Sequence, residues 1–280
     1  MLQGVGGTSN NKVPRGCAYG GATFQRSKGN FRNMKLKVLG SSSAGNCYLF
    51  DNEKECLVVE CGIPFREIQK AVDFDIARIA GCLVSHEHGD HAKHVKSFLR
   101  ARIPVWASSG TIVSIEGGVS RPKMEMLIPN RKQVIGSFVV LPFEVQHDAA
   151  EPFGFLIYHE EMGTVLFATD TYYLKYKFKG LANILLECNY DSTLLEDNYK
   201  QGRISKQQRD RTLQSHMSYE TCKEVLAAND LSEVNNIVLI HLSDANSRAE
   251  EFKHGIRELT CKNVHIADAG TEIEFNKTPF

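Results

Sequence analysis

The stretch SHEHGDHAKH (residues 85–94) places four of the chain's ten histidines within ten residues. Glu87, Gly89 and Asp90 lie among them, and the apolar run GCLVSH (81–86), typical of a buried strand, comes directly before. Imidazole nitrogens and carboxylate oxygens are common metal ligands, and glycine lets the backbone turn tightly. We therefore predict a metal site where this strand ends; a polar loop that happens to be rich in histidine is the alternative.

The spacing within this stretch favours two ions over one. His86 and His88 are two residues apart and can converge on a first ion, while the adjacent Asp90 and His91 can bind a second ion beside it. The stretch is not the HExxH helix of a metalloprotease, because the residue four after His86 is Asp90. A paired-metal site held at strand ends fits this spacing better.

Such a site needs further ligands, and later strands of the chain offer them. FEVQHDA supplies His147, LFATDT supplies Asp170 and VLIHLS supplies His241, each at the end of an apolar run. A polar side chain at such a place must be hydrogen-bonded, paired or bound to a metal. Nitrogen and carboxylate ligands without cysteine favour Zn²⁺, with Mn²⁺ or Fe as alternatives.

The composition of the chain bounds the class of protein. Of the 280 residues 42% are hydrophobic and 24% charged, as in an ordinary globular protein, and no apolar run is long enough to cross a bilayer. The eight cysteines are scattered without a CxxC pair, which predicts free thiols and a cytoplasmic location. No membrane association and no protein partner is inferred.

The first 33 residues differ from the rest of the chain. They contain five lysines or arginines, seven glycines and no acid, and they show no hydrophobic periodicity. We expect residues 1–33 to be a disordered or non-native basic segment, with a transit-like peptide or a basic arm as alternatives. Residues 34–280 are expected to form one domain, because Met34 is followed at once by a strand-like run.

Short β-rich runs alternate with helical ones after residue 34. Strands are predicted at 35–40, 46–50, 56–61, 81–86, 138–145, 153–158, 164–170, 183–188, 236–242 and 264–267, and helices at 65–74, 91–102, 218–230 and 247–259. The helix at 91–102 is expected to begin just after Asp90, whose short carboxylate suits a helix start. The segment 191–215 is polar and charged and receives no element. The pattern predicts sheets covered by helices, a layered α/β architecture.

The histidine stretch together with His147, Asp170 and His241 resembles the HxHxDH signature and later ligands of the metallo-β-lactamase-fold superfamily. The resemblance covers essentially all of 34–280. It implies an αββα four-layer sandwich with two metal ions at one edge. By that pattern His86, His88 and His147 hold the first ion, Asp90, His91 and His241 hold the second, and Asp170 bridges them.

A closer resemblance is to the branch of YycJ/WalJ-type DNA exonucleases, near ribonuclease Z. Six segments carry it: LGSSSAGNCYLF (39–50), HDAAEPFGFLIY (147–158), FATDT (167–171), LLECNYD (185–191), SHMS (215–218) and LIHLSDANS (239–247). Two departures are visible: Glu60 stands where many relatives carry Asp, and the stretch before His216 is shorter than is typical. The resemblance implies a dinuclear metal-dependent hydrolase that cleaves phosphodiester bonds of nucleic acid, DNA first and RNA second, with a metal-bridging hydroxide as nucleophile and Asp90 and His216 as catalytic residues.

The substrate contacts are less specific in sequence. By resemblance His216 contacts the scissile phosphate or protonates the leaving oxygen, while a position at a helix start is the structural alternative. Ser218 suits a helix cap and is also a candidate substrate contact. The loop 40–46, with Ser42 and Asn46, could receive phosphate or be a plain hairpin loop.

The segment 175–211 carries eight lysines or arginines against five acids, which suits a nucleic-acid backbone or a solvated helical face equally. Its aromatic residues and those next to it could stack on bases; they are Tyr172, Tyr173, Tyr176, Phe178, Tyr190 and Tyr199.

Two other functions remain open from the sequence. The same fold hydrolyses small molecules, so a cyclic phosphodiester, a thioester or a lactam is a possible substrate class. A non-catalytic metal-binding regulatory module is the second alternative, and the complete ligand set disfavours it.

Overall fold

The computed structural model describes residues 33–118 and 123–278 of the chain. The basic segment 1–33 lies, apart from Asn33, outside the described residues, so its separation from the domain stays a prediction. Among the described residues, no helix has the length and apolar composition that crossing a bilayer requires.

The first sheet has seven strands in the order β14-β1-β2-β3-β4-β5-β6. Its strands are β1 (Lys35–Ser42), β2 (Gly45–Asp51), β3 (Cys56–Val59), β4 (Ile79–Leu83), β5 (Val105–Ala107), β6 (Glu125–Met126) and β14 (Glu272–Glu274). The strands β1 to β3 and the edge strand β14 pair antiparallel, whereas β3 to β6 run parallel. The sheet is therefore mixed, and β4 in its parallel half leads into the histidine stretch.

The second sheet also has seven strands, in the order β13-β12-β11-β10-β9-β8-β7. Its strands are β7 (Gln133–Ile135), β8 (Phe138–Glu144), β9 (Phe153–His159), β10 (Gly163–Ala168), β11 (Leu181–Glu187), β12 (Asn236–Ile240) and β13 (Asn263–Ile266). The pairs from β10 to β13 are parallel and those from β7 to β10 antiparallel. Since β10, β11 and β12 are buried throughout or nearly so, they read as continuous apolar runs.

Eight α-helices connect the strands of the described ranges. They are α1 (Phe65–Ala71), α2 (Gly89–Ala92), α3 (Val95–Arg100), α4 (Ser109–Glu116), α5 (Ser192–Lys200), α6 (Lys206–Ser215), α7 (Tyr219–Ala228) and α8 (Ala249–Thr260). The single helix expected at 91–102 is wrong: α2 begins earlier, after His88, and ends before α3 starts. The N-cap of α2 is His88, whereas Asp90 lies in its first turn with its Oδ2 3.2 Å from His91 Nε2.

The polar segment 191–215, which received no element from the sequence, forms α5 and α6. Asp191 caps α5 by accepting from the Leu194 amide, and Ser205 with Gln208 forms a capping box at the start of α6. Both helices have side-chain caps at their N-termini, and few of their residues are buried: Leu195 and Asn198 in α5 and Ser215 in α6. They lie beside the end of β11 and so border the edge that carries the predicted metal ligands.

Three hydrophobic clusters define the layers. The central cluster joins the inner faces of both sheets. It contains Phe50 from the first sheet, Phe275 directly after β14, and Phe138, Phe155 and Phe167 from the second sheet. A second cluster lies between the outer face of the second sheet and helices α7 and α8. A third lies between the outer face of the first sheet and helices α1, α3 and α4. The order helix, sheet, sheet, helix confirms the αββα four-layer sandwich.

One edge of the sandwich collects the carboxyl ends of parallel strands from both sheets. Within two residues of the ends of β3, β10 and β12, the non-glycine residues Glu60, Asp170 and His241 adopt positive φ angles of 67°, 46° and 55°. Such left-handed conformations are unfavourable for residues with a Cβ and persist where the surroundings impose them, often at functional sites. Six other described non-glycine residues also have positive φ angles, but these three lie beside or among the predicted metal ligands.

Candidate metal centre

The structure brings all seven sequence-predicted ligands together at this edge. They fall into two groups whose ligand atoms lie within 4.8 Å of one another: His86, His88 and His147 in the first, and Asp90, His91, Asp170 and His241 in the second. His147 Nε2 lies 3.2 Å from His88 Nδ1, and Asp170 Oδ2 lies 3.4 Å from His91 Nε2. Asp170 also lies 3.7 Å from His86 Nε2, so it is within reach of both groups.

The loop between β4 and α2 is fixed to the end of β3 by backbone contacts. The Cys61 amide donates to the His91 carbonyl at 2.8 Å, and the His94 amide donates to the Cys61 carbonyl at 3.0 Å. Gly62 follows Cys61 in the chain, and a Cβ at position 62 would collide with the carbonyl of Asp90. The close approach of these two segments holds the ligands on α2 in place and requires glycine at residue 62.

Hydrogen bonds outside the cluster orient the ligand rings. His147 Nδ1 donates to the Ser215 carbonyl at 2.8 Å, which leaves the Nε2 lone pair for a ligand bond. His86 Nδ1 contacts the Ser85 hydroxyl at 2.8 Å, and its Nε2 therefore faces the cluster. Fixing one nitrogen in this way selects the tautomer and the ring orientation of a metal-binding histidine.

Glu60 lies behind the second group. It is fully buried, its Oε1 is 3.5 Å from His91 Nδ1, and its Oε2 accepts from the Ser85 amide at 3.4 Å. The residue that departs from the pattern of many relatives therefore stands between two segments of the histidine loop. Its longer side chain still reaches the ring nitrogen of His91 that faces away from Asp170.

The donor set fits divalent metal ions. Within the described residues, His86 Nε2 is buried at the centre of the cluster and has no hydrogen-bond partner. A buried polar atom without a partner is unfavourable, and a metal ion would satisfy it. Burial lowers the pKa of His86 well below its usual value, so the ring is neutral and can act as a ligand. Although burial would raise the pKa of Asp170, the neighbouring His241 and His91 hold it well below its usual value.

A third group shares two of these ligands and adds Glu187 and His216. Glu187 ends β11 and is fully buried, and its Oε1 accepts from His216 Nδ1 at 2.7 Å. The His216 ring stacks on the ring of His241, with 5.3 Å between centroids and 12° between planes. Burial would lower the pKa of His216, but Glu187 raises it to about 9.

Glu187 is a residue of the site that was not predicted from the sequence. The residue obeys the rule that found Asp170, since LLEC places an acid at the end of an apolar run. Its Oε2 accepts from the Thr171 amide at 2.8 Å and the Met217 amide at 3.3 Å, so it ties the Asp170 loop to the segment that carries His216. His216 is the C-cap of α6 and lies two residues before Ser218, the cap of α7, and its ring lies among the residues of the third group.

The candidate substrate contacts fall in different surroundings. Asn46 is fully buried, with its Nδ2 3.2 Å from His91 Nε2 and 3.3 Å from Asp90 Oδ2. Ser42 lies at the end of β1, and its hydroxyl accepts from the Ala44 amide in the turn to β2. Ser218 caps α7 by accepting from the amide three residues on, as the sequence predicts. Of the three, Asn46 contacts the ligands.

The basic residues of 175–211 are partly neutralised. Four of them form ion pairs with acids: Lys175 with Glu144, Lys206 with Asp210, Arg209 with Glu196 and Arg211 with Asp148. The local excess of positive charge is therefore weaker at the surface than the sequence count suggests.

Comparison with known proteins gives one family. Residues 57–242 match the family model of the β-lactamase superfamily domain. The chain is 29% identical over 239 residues to the exodeoxyribonuclease YycJ of Bacillus anthracis, covering 81% of this chain and 89% of that protein. It is 26% identical over 261 residues to the exodeoxyribonuclease WalJ of Streptococcus pneumoniae serotype 2, covering 86% and 92%.

Solved structures show the same fold. The metallo-β-lactamase-fold protein YhfI from Bacillus subtilis superposes with a TM-score of 0.66 at 16% identity, covering 86% of this chain and 99% of that one. The short form of human tRNase Z superposes with a TM-score of 0.57 at 14% identity, again covering 86% and 99%. At such identity these similarities establish the architecture.

Proposed function

This chain belongs to the β-lactamase superfamily and has the architecture of its metal-dependent hydrolases, and from this premise we propose that it cleaves phosphodiester bonds of nucleic acid as a DNA exonuclease. The similarity to the two named exodeoxyribonucleases supports this substrate. The observation that carries the proposal is the Glu187–His216 pair. The pair lies beside the ligand groups, and the first group has its three histidines without it. A positioned proton donor serves a reaction with a poor leaving group, such as a phosphodiester.

The two ligand groups would hold two divalent ions, with Zn²⁺ first and Mn²⁺ or Fe as alternatives. His86, His88 and His147 would bind one, Asp90, His91 and His241 the other, and Asp170 would be shared. Bound there, a pair of divalent ions lowers the pKa of a water molecule and neutralises charge on the phosphate oxygens. Asp90 and His241 also contact each other at 3.3 Å, so the second group is organised by the chain itself.

The residues around the ligands orient and protonate the substrate. The Glu187 carboxylate fixes His216 Nδ1, so the ring presents its Nε2 to the substrate. The attacking water would give one proton to solvent as its oxygen forms the new bond to phosphorus. The bond to the leaving oxygen would break, and His216 would give that oxygen a proton from Nε2. Asn46, beside Asp90 and His91, would keep those two ligands aligned or contact a phosphate oxygen.

A cytoplasmic location is also proposed. The seven described cysteines are free, and six of them are buried. Free buried thiols in this number support a reducing compartment.

A nuclease panel tests the proposed function. End-labelled single- and double-stranded DNA and RNA would be incubated with the protein after reconstitution with Zn²⁺ or Mn²⁺, with bis-p-nitrophenyl phosphate alongside. We expect stepwise release of nucleotides from DNA ends, abolished by a chelator and by Asp170→Ala. Hydrolysis of bis-p-nitrophenyl phosphate, a thioester or a lactam without cleavage of any nucleic acid would move the protein to the small-molecule hydrolases. Bound metal without turnover of any substrate would favour a regulatory module.

A further inference from the structure

A cavity of about 1090 Å³ opens beside the first ligand group. It lies between α6 and the loops that follow β8 and β10. Its lining includes Gln146, His147, Tyr172, Arg211, Gln214 and Ser215. Because His147 is both a candidate ligand and a wall of the cavity, a substrate bound at the metal centre can extend directly into this space.

Tyr172 presents an exposed aromatic ring at the rim of this cavity. Tyr172 is 43% exposed, although exposing a large aromatic surface to water is unfavourable. The backbone is nevertheless fixed, because the Tyr172 amide donates to the Gln146 carbonyl at 3.2 Å and the Gln146 amide donates to the Thr171 hydroxyl at 3.0 Å. The backbone of Tyr172 thus joins the loop of His147 to the loop of Asp170, and its side chain lines the cavity.

The other aromatic residues of this region are engaged elsewhere. Tyr176 and Phe178 pack against the hydrophobic cluster under the second sheet, and Tyr190 is buried. The Tyr199 ring faces the Arg209 guanidinium at 5.7 Å. Tyr173 is exposed but is not part of the cavity lining. Tyr172 is therefore the aromatic residue of this set that the structure places at the cavity.

The charges of the cavity wall are balanced. Arg211 lies 3.2 Å from Asp148, and Lys206 lies 2.7 Å from Asp210. A groove that tracks several phosphates carries an excess of positive charge, and this wall does not. Recognition here must rest on stacking and on hydrogen bonds from neutral groups more than on charge.

We propose that this cavity binds an unpaired nucleotide next to the scissile phosphodiester, with its base stacked on Tyr172. The inference rests on the proposed nuclease function and adds to it where the strand lies and which group holds it. Stacking on an aromatic side chain tolerates any base, because every base has a π face. The base must be out of a duplex to reach the ring, so a single-stranded end is the substrate form that fits.

The test compares Tyr172→Ala and Tyr172→Phe with Tyr158→Ala as matched control. Tyr158 is 42% exposed and lies on β9 opposite Thr164, near the start of β10 and away from the end that carries Asp170. The substrates are a single-stranded oligonucleotide, the same oligonucleotide with abasic residues at the cleaved end, and bis-p-nitrophenyl phosphate. Thermal unfolding and metal content would be measured for each variant.

We expect Tyr172→Ala to raise KM for the oligonucleotide by about 5- to 150-fold, the effect of one lost base stack. Tyr172→Phe and Tyr158→Ala should stay within about twofold of the wild type, because stacking needs the ring and not the hydroxyl. On the abasic oligonucleotide, Tyr172→Ala and the wild type should not differ, since this substrate offers no base at the cleaved end.

Two results overturn the inference alone: an unchanged KM of Tyr172→Ala on the oligonucleotide, or an equal rise on the abasic substrate. A wild-type protein that hydrolyses bis-p-nitrophenyl phosphate but no nucleic acid would overturn the proposed function and this inference with it. The two failures are thus distinguished by the wild type.

Discussion

Replacing Glu187 by glutamine tests whether this carboxylate acts through His216. Glutamine has nearly the same shape, but it removes the charge that accepts from His216 Nδ1 at 2.7 Å and from the Thr171 amide at 2.8 Å. A hydrogen bond to a charged group contributes about 1.5–3 kcal/mol, so we expect the free energy of unfolding to fall by about 2 kcal/mol. That loss is small enough for the variant to fold, and its metal content should not change.

The kinetic effect should depend on the leaving group. A proton donor contributes about 10²–10⁴-fold to rate, so His216→Ala should lower kcat on an oligonucleotide by that amount. Glu187→Gln leaves the imidazole in place but unpositioned, and we expect a fall of about 10–100-fold. On bis-p-nitrophenyl phosphate both variants should lose less than about threefold, because p-nitrophenolate departs without needing a proton.

The double variant provides the control for a shared role. If Glu187 acts only by positioning His216, adding Glu187→Gln to His216→Ala should lower kcat no further. Equal losses on the oligonucleotide and on the p-nitrophenyl ester would refute proton donation and favour phosphate binding. A further loss in the double variant would show that Glu187 acts independently of His216.

Three further predictions follow from other parts of the molecule. Asp170→Ala should abolish turnover and lower bound metal while circular dichroism stays native, because the residue lies at the sheet edge; near-normal activity would remove it from the ligand set. A chain starting at Met34, which is fully buried and whose carbonyl accepts from Phe275, should melt and turn over like the full chain, and loss of folding would make the preceding segment part of the domain. Burial would raise the pKa of Asp51, yet Lys37 and Arg78 hold it below its usual value of about 3.9, so Asp51→Asn should cost about 2–3 kcal/mol at neutral pH. The ion pairs stabilise the folded protein fully above the pKa that Asp51 has in the unfolded chain, and this stabilisation is lost as pH falls through the lower pKa of the folded state. The free energies of unfolding of the wild type and of Asp51→Asn, measured from denaturant curves, should therefore converge below about pH 4. A difference that does not change with pH would contradict the pairing.

The ligands could be predicted because each is a polar residue at the end of an apolar run. Parallel strands bring such ends to one edge, and two packed sheets bring two edges together, so His147, Asp170 and His241 meet the histidine stretch. Glu187 obeys the same rule, but its role depends on its contact with His216, which is 29 residues away in the chain. Periodicity alone does not reveal such a contact.

The helices show where local patterns were insufficient. The apolar positions of 91–102 suit one helix, yet the His94 amide bonds to the Cys61 carbonyl and the helix is interrupted there. That bond crosses between distant segments and leaves no local signal. In 191–215 the signal was present in the capping residues, such as Ser205 with Gln208, but not in the apolar periodicity that assigned the other helices.

The central claim is that this edge of the sandwich holds two divalent ions, and elemental analysis of the purified protein tests it most directly. The protein would be loaded with Zn²⁺ or Mn²⁺, freed of loose metal, and its metal content measured per chain. The two ligand groups predict about two ions per chain, the number that paired-metal hydrolysis requires. A content of at most one ion per chain after loading would contradict the dinuclear assignment.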